Sequence, residues 1–124
     1  MYETGREVKT LVFNTGSALL DAIVLAVVAR DKSGTYGYKI TQDVRSVIEL
    51  SESTLYPVLR RLQKDECLET YDEQYNGRNR RYYRITERGG AQLALYRSEW
   101  LNYSSKVTSI FMGNNEGSSE EDDK

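Results

Sequence analysis

The chain has no histidine, one cysteine and one proline among its 124 residues. Without histidine there is no imidazole to relay protons, hold a metal or sense physiological pH. Cys67 has no second cysteine to meet, so an internal disulfide is excluded and the residue reads as an intracellular structural thiol. A glycine-rich phosphate cradle is missing as well, and the carboxylate pairs Asp65-Glu66 and Asp72-Glu73 fall at a helix end and on a hairpin, where solvation accounts for them. Nucleophilic and metal chemistry therefore lack their usual parts, and the expectation is a binding protein, not an enzyme, with no cofactor and no metal. Long apolar runs are absent too: the stretch from Ala18 to Val28 is interrupted by Asp21 and falls short of the roughly 20 residues that cross a bilayer. The first residues carry Glu3, Arg6, Glu7 and Lys9 and do not resemble a secretory signal, so the expected location is the cytoplasm, with no membrane partner.

A formal net charge of −2 hides an uneven distribution. Five of the 19 acids, Glu116, Glu120, Glu121, Asp122 and Asp123, lie in residues 113–124 beside one of the 17 bases. Without that segment 16 bases face 14 acids, and eight of those bases fall between Arg60 and Arg88. The tail has nothing apolar to bury and is expected to be disordered, either as plain solvating charge or as a mimic of DNA that competes for the basic surface.

What is present is helical periodicity broken by one hairpin. From Arg6 to Arg30, Val8, Leu11, Val12, Leu19, Ile23 and Val27 predict one long helix, or one broken at Gly16, and its half from Leu19 to Val28 is apolar nearly all round, as a core centre should be. Asp31-Lys32-Ser33-Gly34 ends it. Ile40, Val44 and Val47 then form a short amphipathic face, the first helix of a helix-turn-helix pair. After the short link Glu49-Leu50, Ser51 can cap a second helix that buries Leu55, Leu59 and Leu62 and exposes Ser53, Thr54, Tyr56, Arg60 and Arg61. Pro57 costs this helix little if it starts near Ser53 or Thr54. Two runs of strand formers, Leu68 to Tyr75 and Arg80 to Ile85, flank Asn76-Gly77, a strong hairpin signal, and Arg78, Arg80, Arg81 and Arg84 make that hairpin basic.

A recognition helix followed by a basic hairpin is a winged-helix signature, and hydroxyls and guanidinium groups on the exposed faces suit phosphates and base edges. Thr86 caps a last helix running to about Phe111, broken only at Gly89-Gly90. Its residues Leu93, Tyr96, Trp100, Tyr103, Val107 and Ile110 recur at steps of three and four, a heptad seam. A small winged domain leaves little to cover such a seam, so the expected partner is the same helix of a second copy, with Val8, Leu11 and Val12 adding to the contact.

The strings Tyr36-Gly37-Tyr38-Lys39-Ile40, Leu50 to Leu62, and Arg80-Arg81-Tyr82-Tyr83-Arg84-Ile85-Thr86, with Gly89, resemble the hallmark strings of the PadR family of bacterial transcriptional regulators, in the same order. The resemblance covers about residues 19–100, and the short last helix is similar to the branch with a single C-terminal dimerisation helix, which includes repressors that respond to multiple drugs. It implies a homodimeric repressor on a pseudo-palindromic operator, released when a small planar or aromatic effector enters an aromatic-lined cavity at the dimer centre, where Trp100 matches the stacking tryptophan. Two positions depart from the family. Cys67 stands where a glycine usually ends the recognition helix in the left-handed region, and Tyr36 stands where histidine is common.

The expected fold is mainly α with a small β-hairpin: an N-terminal helix over residues 1–16, a winged helix-turn-helix over 17–86, a dimerisation helix over 87–112 and a disordered tail over 113–124. The expected DNA contacts are Tyr38, Lys39, Ser51, Ser53, Thr54, Tyr56, Pro57, Arg60, Arg61, Lys64, Arg78, Asn79, Arg80 and Arg81, with Arg61 able to pair with Asp65 instead. Tyr96, Trp100 and Tyr103 are dimer core and, in the sharper reading, effector contacts. The competing function is a winged-helix module that binds another protein, which would need exposed apolar anchors where this chain offers hydroxyls and arginines.

Overall fold

The computed structural model of the chain describes residues 16–113. Val8, Leu11, Val12 and nearly all of the acidic tail lie outside the described residues. Helix α1 (Ser17–Ala29) is the centre of the core: Val24, Leu25 and Val28 are fully buried, and so is most of the Asp21 side chain. Strand β1 (Thr35–Tyr36) leads directly into α2 (Gly37–Arg45), which buries Ile40 and Val44. Val47, expected on the same buried face, lies past the end of α2 and is 64% exposed, because the helical period that would turn it inward has already stopped.

Helix α3 (Glu52–Lys64) buries Leu55, Val58, Leu59 and Leu62. Ser51 is its N-cap residue, but the Ser51 hydroxyl meets the hydroxyls of Ser53 at 2.9 Å and Thr54 at 3.2 Å in place of a backbone N–H. The helix begins at Glu52, which puts Pro57 in the second turn. There the missing amide does remove a bond toward the Ser53 carbonyl, at an exposed position where water can replace it. The C-terminus closes as a Schellman motif, with the Cys67 N–H donating to the Leu62 carbonyl at 2.8 Å and the Glu66 N–H to Gln63 at 2.9 Å. The left-handed residue is Glu66, at φ 65°, one place before Cys67, so the buried cysteine takes the apolar position that follows the turn.

Strands β2 (Leu68–Tyr75) and β3 (Arg78–Ile85) pair antiparallel from Leu68↔Ile85 to Tyr75↔Arg78. Asn76 and Gly77 both have positive φ, 52° and 75°, as a type I′ turn requires. The expected hairpin is in fact two strands of three: β1 adds to the far edge of β3 through Thr35↔Tyr83 and Tyr36↔Tyr82, in the order β1-β3-β2.

The last helix, α4 (Glu87–Met112), is continuous for 26 residues, about 39 Å at 1.5 Å per residue. Thr86 caps it by accepting from the Gly89 N–H at 2.9 Å, while its own hydroxyl donates to the Glu66 carbonyl at 2.7 Å. The glycine pair does not break the helix. Gly89 is a point of close approach, since a Cβ there would run into the Cys67 carbonyl. Leu93 closes the core against α1, and the helix then continues past the domain. Among the described residues no helix is long and apolar enough to cross a membrane.

Candidate nucleic-acid interface

Three elements converge on one side of the molecule. Tyr36 caps α2 from extended backbone without a side-chain bond, so no side chain satisfies the first N–H groups of that helix, which begins beside Tyr38 and Lys39. Tyr38 is 59% exposed and its hydroxyl accepts from Gln42 at 3.0 Å; Lys39 pairs with Asp43 one turn on, at 3.2 Å. The exposed face of α3 carries Ser51, Ser53, Thr54, Tyr56, Pro57, Arg60 and Lys64. Tyr56 reaches across to α2, its hydroxyl 3.1 Å from where a Cβ of Gly37 would sit. Between these helices and the hairpin lies a cleft of about 640 Å³, lined by Tyr36, Tyr38, Tyr56, Asn79, Arg80 and Arg81, with Tyr83 among them. Burial pushes the Tyr83 hydroxyl pKa up, and the nearby Arg81 and Arg60 pull it back in part.

The wing arginines differ from one another. Arg78, next to the turn, forms no ion pair with any described residue and is fully available. Arg81 lies 3.6 Å from Asp72 and Arg84 2.9 Å from Glu69, both cross-strand pairs at the surface, worth little each. Arg80 is packed between tyrosine rings. On α3, Arg61 points the other way from Arg60: it bonds to the buried Asp21 of α1, not to Asp65, and ties the recognition helix to the core.

A second concavity, about 430 Å³ and almost wholly apolar, opens between α1, the segment after α2 and the middle of α4. Tyr96 and Trp100 line it, while Tyr103 stands beside Trp100 with ring centroids 6.2 Å apart and does not reach the groove. Burial, and then the charge of Asp21, push the Tyr96 pKa up to about 12. Its remaining walls were missed from the sequence: Leu19 and Ile23 looked like core, Val47 was placed on a buried face, and Arg97 interrupts no seam. Of the seam residues, Leu93 is 4% exposed and is used up inside its own chain, whereas Ile110 is 73% exposed. The Cys67 thiol is buried, which raises its pKa against the lowering effect of Arg88. Among the described residues no group of side chains could hold a metal ion.

Two α-helices in a short-linked pair, a hairpin wing beside the second, and a third strand joining wing to helix define a winged helix-turn-helix protein. The chain belongs to the PadR-like family of transcriptional regulators, whose family model matches residues 24–95. A crystal structure from Streptococcus mutans superposes with a TM-score of 0.73 at 34% identity, covering 82% of this chain and 93% of that one. A PadR-like transcriptional regulator from Bacillus cereus gives a TM-score of 0.70 at 26% identity, covering 78% and 95%. An uncharacterised protein of Lysinibacillus sphaericus is 35% identical over 98 residues, 75% of this chain and 87% of its own length.

Proposed function

We propose that the chain is a homodimeric repressor that binds duplex DNA at a pseudo-palindromic operator. The observation that carries this is the convergence on one cleft of donors from three separate elements: Tyr38 at the start of α2, Tyr56 on α3, and Asn79 and Arg81 on the wing. Hydroxyls and an amide can contact base edges or phosphates, and the arginines supply the charge that holds the duplex. In this reading residues 17–86 bind DNA and residues 87–112 dimerise. The seam beyond Leu93, from Trp100 to Ile110, packs against its copy and sets two recognition helices about 34–36 Å apart, one turn of DNA. Among the described residues no exposed aliphatic side chain lines the cleft, whose exposed rings Tyr38 and Tyr56 carry hydroxyls, whereas Leu101, Phe111 and Met112 stand exposed on α4, which weighs against a protein-docking role for the cleft. The direct test is selection of bound duplexes from a random pool at moderate salt. An inverted repeat with half-sites one turn apart is the expected result; no enrichment would favour the protein-interaction module.

The apolar groove beside Trp100 supports effector control. Its size suits a small planar molecule, and Arg97 on its wall favours neutral or anionic aromatics over cations. Quenching of the single tryptophan by planar anionic dyes, with release of the selected duplex, is expected; a signal unchanged across such a panel would remove the effector from the scheme.

A further inference from the structure

Strand side chains alternate, and Tyr83 faces the core, so Arg78, Arg80, Tyr82 and Arg84 share the outward face of β3. On that face the Arg80 guanidinium lies 3.9 Å from the ring centroid of Tyr36 and 3.6 Å from that of Tyr75, with an N–H directed at the Tyr82 hydroxyl at 3.5 Å. Tyr82 meets Tyr36 edge-on, centroids 5.7 Å apart, and stacks on Tyr71 at 5.4 Å. Tyr75 is the last residue before the hairpin turn and Tyr36 the last before α2. One cation therefore bridges the tip of the wing and the start of the helix that carries Tyr38 and Lys39.

We infer that Arg80 is a positioning residue: its guanidinium, clamped between Tyr36 and Tyr75, fixes the pitch of the wing relative to α2 so that Arg78, Asn79 and Arg81 meet the phosphate backbone, and it is not itself a phosphate ligand. The other arginines of the wing lack this double contact: Arg84 lies over one ring only, that of Tyr71 at 4.5 Å. Arg78 carries no ring or acid partner among the described residues, and Arg81, which lines the cleft as Arg80 does, pairs with Asp72 at 3.6 Å and lies over no ring. A planar guanidinium can lie flat against two rings at once, whereas the point charge of a lysine cannot, so the clamp also explains why arginine is used here. The inference rests on the DNA-binding reading above.

The test is the dependence of duplex affinity on salt, using a duplex recovered by the selection or, failing enrichment, one of random sequence. Removing one phosphate contact reduces the slope of log affinity against log salt by about 0.9. Arg78→Ala is expected to show that reduction. Arg80→Ala and the uncharged change Tyr75→Ala are both expected to weaken binding about threefold to thirtyfold and to lower the slope, although Tyr75 carries no charge to lose, and Arg80→Lys to restore little. In the Arg80→Ala background, Arg78→Ala should lose much of its effect on the slope, because the wing no longer delivers it; a loss of general stability alone would not produce that. If Arg80→Ala lowers the slope by about 0.9 and Arg80→Lys restores binding, Arg80 is a phosphate ligand and the inference fails. If wild type binds and both Arg80 variants bind equally well, it fails while the DNA reading stands; if wild type binds no duplex, both fall. Should Arg80→Ala not fold, Tyr75→Ala, made at a half-exposed ring, carries the same comparison.

Discussion

Leu93 and Ile110 belong to one seam of α4, yet the first is 4% exposed and the second 73%. The near half of the seam is closed by α1 and the core of its own chain; at the far end, Ile110 has no such cover among the described residues. A heptad therefore announces that a stripe will be buried without saying by what. In the winged domain the answer is local, because α1 is apolar nearly all round and α2, α3, α4 and β3 pack against it. Beyond the domain the proposed dimer would cover a stripe of the same spacing with a second molecule.

Two substitutions separate the halves. Leu59 is fully buried between α3 and the core, and Leu59→Ala is expected to cost about 2–5 kcal/mol of unfolding free energy in denaturant titration, at any protein concentration. Ile110→Ser removes an apolar group that the single chain leaves in water. It should leave the folded winged domain intact, with its helical signal unchanged at high concentration, and raise the dimer dissociation constant about tenfold, equivalent to about 1.4 kcal/mol, in sedimentation equilibrium. If both changes acted alike on stability and neither on association, α4 would be covered within one chain and the comparison would collapse.

The same contrast explains what was legible in the sequence. Patterns written within one element came through: the Asn76-Gly77 turn, the buried leucines of α3 and the Thr86 cap. Relations between elements did not. Strand β1 has two residues, too few for any alternation, and exists only because β3 offers a free edge. Arg61 has an acid at i+4 in Asp65, the pairing helical spacing suggests, but folding brings it to Asp21, 40 positions away. Arg80 looked like one more basic residue on a wing until Tyr36 was brought against it by that same unforeseen strand pairing. The Gly89-Gly90 pair reads as a break by propensity, yet tertiary contact decides otherwise, because Gly89 is where α4 must touch the Cys67 carbonyl. The left-handed end of α3 falls at Glu66, and glutamate, an uncommon residue for positive φ, gives no signal there.

Tyr96 sits at the boundary between the two halves of α4 and gives the comparison its finest test. Its hydroxyl is pushed up to about 12 from an ordinary value near 10, first by burial and then by the charge of Asp21. A raised folded-state pKa means that between these values the native protein keeps a proton that the unfolded chain has released. The stabilisation is therefore complete below about pH 10 and is lost as pH rises through about 12. Tyr96→Phe should change stability little at neutral pH and make the alkaline fall shallower in urea titrations repeated across that window. Some slope should remain, because burial also raises Tyr83 and Cys67. A variant with an alkaline limb identical to wild type would place the Tyr96 hydroxyl in water, at an open groove mouth. The boundary between self-covered and partner-covered helix would then lie nearer to Leu93 than the burial of Tyr96 implies.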